Sequence, residues 1–95
     1  MKIDIEKLME DEDFKAAEPE ELGIWLKLAT YCDAAGYTDW IIPGLTHWTE
    51  RKMLAALGIY SHEINENSEL FGFDDGGVDL CVRHPGPALI ERAAR

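Results

Sequence analysis

His62 and Glu63 open the run "HEINE", the start of the His-Glu-x-x-His helix with which zinc proteases hold their metal. Two ligands on one helical face require a second histidine one turn further on, and Glu66 stands there instead. The protease motif is therefore absent. His47, His62 and His84, taken with Cys32 and Cys81, have no metal-ligand spacing. The glycines punctuate elements and do not form a phosphate-cradling loop. Neither a metal nor a cofactor is expected, and neither is an enzyme, because a chain of 95 residues is small for a water-excluding pocket. What remains is recognition chemistry. Ser61, His62, Asn65 and Asn67 share one short polar stretch, and asparagine can pair with the edge of adenine in a DNA groove. Arg51, Lys52 and Arg83 supply cations for phosphates.

Those side chains need elements to carry them. The stretch "LAALGIYSHEINEN", residues 54–67, has the grammar of a helix-turn-helix: an apolar helix end, Gly58 at the turn, Ile59 to fill it, and a polar segment after it. Ser61 is expected to cap a helix of two turns anchored by Ile64. The preceding helix starts at Thr49 and turns Met53, Leu54 and Leu57 inward. Upstream, "EPEELGIWLKLATYCDAAG" is the clearest helix. Glu18 and Pro19 begin it, Glu20 and Glu21 suit the positive end of its dipole, and Gly36 stops it. Its apolar stripe runs through Leu22, Trp25, Leu26, Leu28, Ala29 and Cys32. On that stripe Cys32 reads as a small buried hydrophobe and not a reactive thiol. "WIIP" predicts a short edge strand closed by proline. "ELFGFDDGGVDLCVRH" predicts a hairpin, with Asp75-Gly76 taking the positive φ values of a tight turn and Val78, Leu80 and Val82 facing inward. A weak helix in "DIEKLMEDEDF" and another starting at Pro87 complete the pattern. Trp40, Trp48 and Tyr60 flank these elements and either cap the core ends or offer contact area to a partner.

Charge constrains what such a framework can bind. The net charge is −10. Residues 1–21 hold nine acids against three lysines and contribute −6 of it, so the run "EDED" reads as a solvated lead-in. An acidic protein lacks the nonspecific phosphate attraction that usually supplies most DNA affinity, although a basic face elsewhere stays compatible with the count. The longest apolar runs fall far below the roughly 18 residues of a membrane span, and the acidic N-terminus does not resemble a signal peptide. The chain reads as cytoplasmic, and its two distant cysteines as reduced thiols with no disulfide.

The expected order is helix, short strand, helix, turn, helix, hairpin. That is an α+β, winged helix-turn-helix arrangement: a three-helix core, a small antiparallel sheet, and "DDGG" as the wing. The division expected is an acidic lead-in over 1–17, the winged-helix domain over 18–84, and a tail or short helix over 85–95. Over roughly residues 11–84, from "EELGIWLKLATYCDAAGYTDWIIP" through the hairpin, the chain resembles the N-terminal winged-helix domain of phage and prophage replication-organiser proteins. The resemblance implies a non-enzymatic module of a mobile-element replication or regulatory protein that binds double-stranded DNA. It makes Ser61, His62, Asn65 and Asn67 the groove-facing residues and Asp74 to Gly77 the wing. Here the acidic residues Glu63, Glu66, Asp74 and Asp75 occupy places where such a module would offer lysine or arginine. Weak binding by one copy would call for a homodimer or a longer parent protein. The alternative is an acidic protein-recognition module, or a DNA mimic, that uses the same fold to meet a basic protein partner.

Overall fold

Pro19–Ala35 form α3, the longest helix of the chain, in a computed structural model that describes residues 2–64, 68–84 and 90–91. Pro19 sits in its first turn, where a missing N–H costs nothing. At the other end Gly36 takes the left-handed conformation (φ 80°), and its N–H returns to the carbonyls of Cys32 and Asp33. The face of α3 that enters the core is Trp25, Leu28, Ala29 and Cys32. Leu26, expected on that stripe, is 48% exposed, so the seam is one residue narrower than the sequence pattern.

Two short helices precede α3: α1 (Ile5–Leu8) and α2 (Glu12–Ala16), capped by the side chains of Asp4 and Asp11. The acidic stretch expected as a solvated lead-in is docked on the core. Leu8 and Phe14 are buried, and the Phe14 ring stands edge-on to Trp25 at 4.7 Å. The Arg83 guanidinium grips the carboxylates of Asp11 and Asp13, the former at 2.8 Å. Neutralising those two acids is what lets so charged a segment lie down on the protein.

The sheet has three antiparallel strands in the order β2-β4-β3: β2 (Ile41–Ile42), β3 (Phe71–Phe73) and β4 (Leu80–Val82). β4 pairs with both neighbours, Cys81 lying opposite Ile41 on one side and Gly72 on the other. β2 is the edge strand its proline predicts. Trp40 leads into it at φ 55°, left-handed for a bulky residue, and is held there by burial against Trp25 and His84. The 3₁₀ turn Leu45–His47 follows, then α4 (Glu50–Leu57), with the Thr49 hydroxyl accepting from the Lys52 N–H at 3.1 Å. Gly58 ends α4 in the left-handed region (φ 70°), and Ile59 is buried behind it. Met53 and Leu57 point inward as expected, whereas Leu54 is 45% exposed.

After Gly58 the expected two-turn helix does not form. Ser61–Glu63 make a single 3₁₀ turn, and Ile64 is already extended at ψ 101°. In the hairpin the positive φ falls on Gly77 (69°) and not on Asp75-Gly76. Asp74 carries that turn: its carboxylate accepts from the Val78 N–H at 3.0 Å, while its carbonyl accepts from the Gly77 N–H. Val78, expected inward, belongs to the loop and is exposed. Ile90–Glu91 form β5, antiparallel to β1 (Lys2–Ile3); the helix start expected at Pro87 lies outside the described residues. Among the described residues the architecture is α+β, four helices with a small three-stranded antiparallel sheet. One core runs through both layers, from Leu8 and Phe14 through Trp25, Leu28 and Cys32 to Leu70 and Leu80.

Candidate nucleic-acid interface

α4 is short, but its solvent side is continuous: Arg51, Lys52, Leu54, Ala55 and Ala56 are all exposed while Met53 and Leu57 face in. Arg51, Leu54 and Ala55 stand at i, i+3 and i+4 and so share one face. The Lys52 ammonium lies 4.2 Å from the centroid of the Trp48 ring, which holds its stem down while leaving the charge in solvent. A third cation closes the far end. The Lys27 ammonium reaches from α3 to donate to the Gly58 carbonyl at 3.0 Å, where a positive charge also meets the negative end of the α4 dipole. From Trp40 to Tyr60 the chain has one acid, Glu50, against Arg51 and Lys52.

Glu50, the first residue of α4, is exposed too, one turn before Leu54. Its carboxylate accepts from the Ser61 hydroxyl and from the Ser61 N–H, and these hydrogen bonds hold its pKa below the ordinary glutamate value of 4.5. Ser61, expected to reach base edges, is thus occupied as the donor that closes the chain back onto the start of α4. The same local logic shapes its neighbours. Glu63 accepts from the Tyr60 N–H at 3.0 Å, and the His62 ring stacks on Tyr60 at 5.7 Å.

Of the seven expected contact residues, then, Arg51, Lys52, Ser61 and His62 are exposed on α4 and the 3₁₀ turn beside it. Asn65 and Asn67 lie outside the described residues. Arg83 is elsewhere. Its backbone N–H donates to Leu70 at 2.9 Å, its carbonyl accepts from the Trp25 indole at 2.9 Å, and its guanidinium is taken by α2 and lies over the Phe14 ring. It is a structural clasp, and phosphate would have to displace two carboxylates to reach it.

The hairpin acids are also accounted for by structure. Asp74 folds its own loop, and the Asp79 carboxylate accepts from the Gly44 N–H at 2.8 Å while the Thr46 N–H donates to the Val78 carbonyl at 3.2 Å. The hairpin is thereby stapled to the loop that leads into α4. Sequence reasoning missed Lys27 and Asp79; a lysine in the middle of a helix and an aspartate in a strand carry no local signal for a partner 31 or 35 residues away.

Burial pushes the Cys32 thiol up to about 12, and Cys81, half-buried beside four aspartates, is raised too, chiefly by desolvation. Both therefore stay protonated at neutral pH. Among the described residues no group of His, Cys, Asp and Glu side chains is arranged to hold a metal ion, and no helix is long and apolar enough to cross a membrane. Compared with known proteins, the chain matches no family model, no curated protein and no solved structure.

Proposed function

We propose that the chain is a winged-helix module that binds duplex DNA, of the kind phage replication-organiser proteins carry, with α4 as its reading helix. The observation that carries this reading is the connectivity. Helix α3, strand β2, the Leu45–His47 turn, helix α4 and the β3-β4 hairpin follow one another, with β2 pairing to the returning strand β4. In that order the Leu45–His47 turn and α4 are the two arms of the helix-turn-helix. The reading element is therefore one step earlier in the chain than the segment after Gly58. Arg51 and Lys52 contact phosphates on either side of Ala55, with Leu54 beyond Arg51, and these two apolar side chains approach thymine methyl groups. The base-contact role expected for Ser61 and His62 becomes a supporting one, since Ser61 fixes the start of α4 through Glu50.

Fluorescence anisotropy of a labelled duplex tests this. Two phosphate contacts predict a slope of log K against log salt of about −2, which Arg51→Ala with Lys52→Ala should flatten toward zero. Affinity that ignores both substitutions, or no binding at low salt, would remove α4 as the contact. Acidic protein recognition would then be favoured, on the strength of Asp74 and Asp75 at the hairpin tip.

A further inference from the structure

We propose that the groove between the first half of α3 and the Ser61–Glu63 turn is a docking site for a basic amphipathic peptide segment of a partner protein. This goes beyond the DNA reading, because no residue of α4 lines the groove. The cavity holds about 660 Å³. Its apolar lining is Ile24 and the small part of Phe71 left uncovered, and Glu18, Glu20, Glu21, Glu63 and His62 line it beside them. The described hydrogen bonds to these acids come from neutral donors: the Ser68 hydroxyl to Glu21 and the Tyr60 N–H to Glu63. Such bonds orient a carboxylate and leave its charge in place. Lys27, which also lines the groove, commits its ammonium to the Gly58 carbonyl.

Gly23 is the second observation. It lies inside α3, where glycine destabilises a helix relative to alanine. Its φ is ordinary, and a Cβ there would meet nothing within 4 Å, so packing among the described residues does not account for it. Close approach of another molecule to the α3 backbone does, and Gly23 lines the groove. Apolar lining, four carboxylates and a backbone left bare fit a segment that brings lysine or arginine around a central apolar side chain. A net charge of −10 steers such a segment in, and the same carboxylates repel phosphate.

The test is a titration of the ¹⁵N-labelled chain with a synthetic lysine-leucine amphipathic peptide and with an all-lysine peptide of equal charge. Saturable shifts at Gly23, Ile24, Glu63 and Phe71 with the first peptide, and at least roughly tenfold weaker binding of the second, are expected. Gly23→Leu fills the open space and should lower affinity roughly tenfold or more with helicity and melting temperature maintained. Glu20→Lys with Glu63→Lys should do the same by charge, and DNA affinity should survive Gly23→Leu. Equal binding of both peptides, shifts spread evenly to Asp11, Asp13 and the hairpin tip, no saturable shifts, or unchanged affinity in Gly23→Leu would overturn the proposal.

Discussion

The exposed side of α4 and the groove along the first half of α3 share one frame and carry opposite chemistry. On α4 a single acid, Glu50, exposed and tied to Ser61, stands with Arg51, Lys52 and, at the far end, Lys27 around exposed Leu54 and Ala55. In the groove the balance is reversed: four carboxylates and one lysine line it beside Ile24 and Phe71. Lys27 borders both regions, since it lines the groove while its hydrogen bond to the Gly58 carbonyl sets its ammonium at the end of α4. Net charge therefore says little about which ligand a given face meets. A sum of −10 coexists with a segment of 21 residues, 40–60, whose formal charge is positive. With a screening length of about 10 Å at 0.1 M salt, neighbouring faces of a small domain can keep separate electrostatic identities.

Removing the frame should abolish both faces together. Trp25 is buried, packs on Phe14 and Trp40, and ties its indole to Arg83, so Trp25→Ala should cost about 3–5 kcal/mol in urea or thermal unfolding. Survival of either binding activity in that variant would show that the face concerned does not depend on the common core. A smaller change should separate the two. Thr49→Ala removes the cap of α4 and should cost about 1 kcal/mol, loosening the cationic face while leaving peptide shifts in the groove intact. The smallest expected effect is one of pH. Because the Glu50 pKa is depressed in the folded chain, the tie to Ser61 stabilises above the ordinary value of 4.5 and is lost as pH falls through the lower folded value. Protection of the Ser61 amide, its exchange rate measured against the intrinsic rate at each pH, should fall in that acid window in the parent chain, and Glu50→Gln should remove that fall.

The readable parts of the fold are those whose causes are local. Pro19, Gly36, Thr49 and Gly58 bound their helices through contacts within a few residues, and each is visible in the sequence. The sheet was legible because a proline-closed strand and a glycine-rich turn allow few pairings. The site was less legible. Where the turn after Gly58 stops is set at Ile64, which is extended, and Glu50 holds Ser61 from 11 residues away; the polar run shows neither. Arg83 resembles any phosphate-binding arginine until Asp11 and Asp13, 72 and 70 residues away, close on it. Leu26 and Leu54 carry the right periodicity and still face out, because a helix covered on one side only buries a narrower stripe than the pattern supplies. Arg51 and Lys52 are exposed cations beside a turn, as the sequence suggests, and they stand on α4 and not on the segment after Gly58.

The staple between Asp79 and Gly44, reinforced by Thr46 and Val78, has a mechanical consequence. It fastens the loop end of the β-ribbon to the approach of α4, so movement of one projection is coupled to the other. They form a single jaw. A ligand that levers the ribbon tip will also re-aim Arg51 and Lys52, and a ligand seated on α4 will stiffen a loop it never touches.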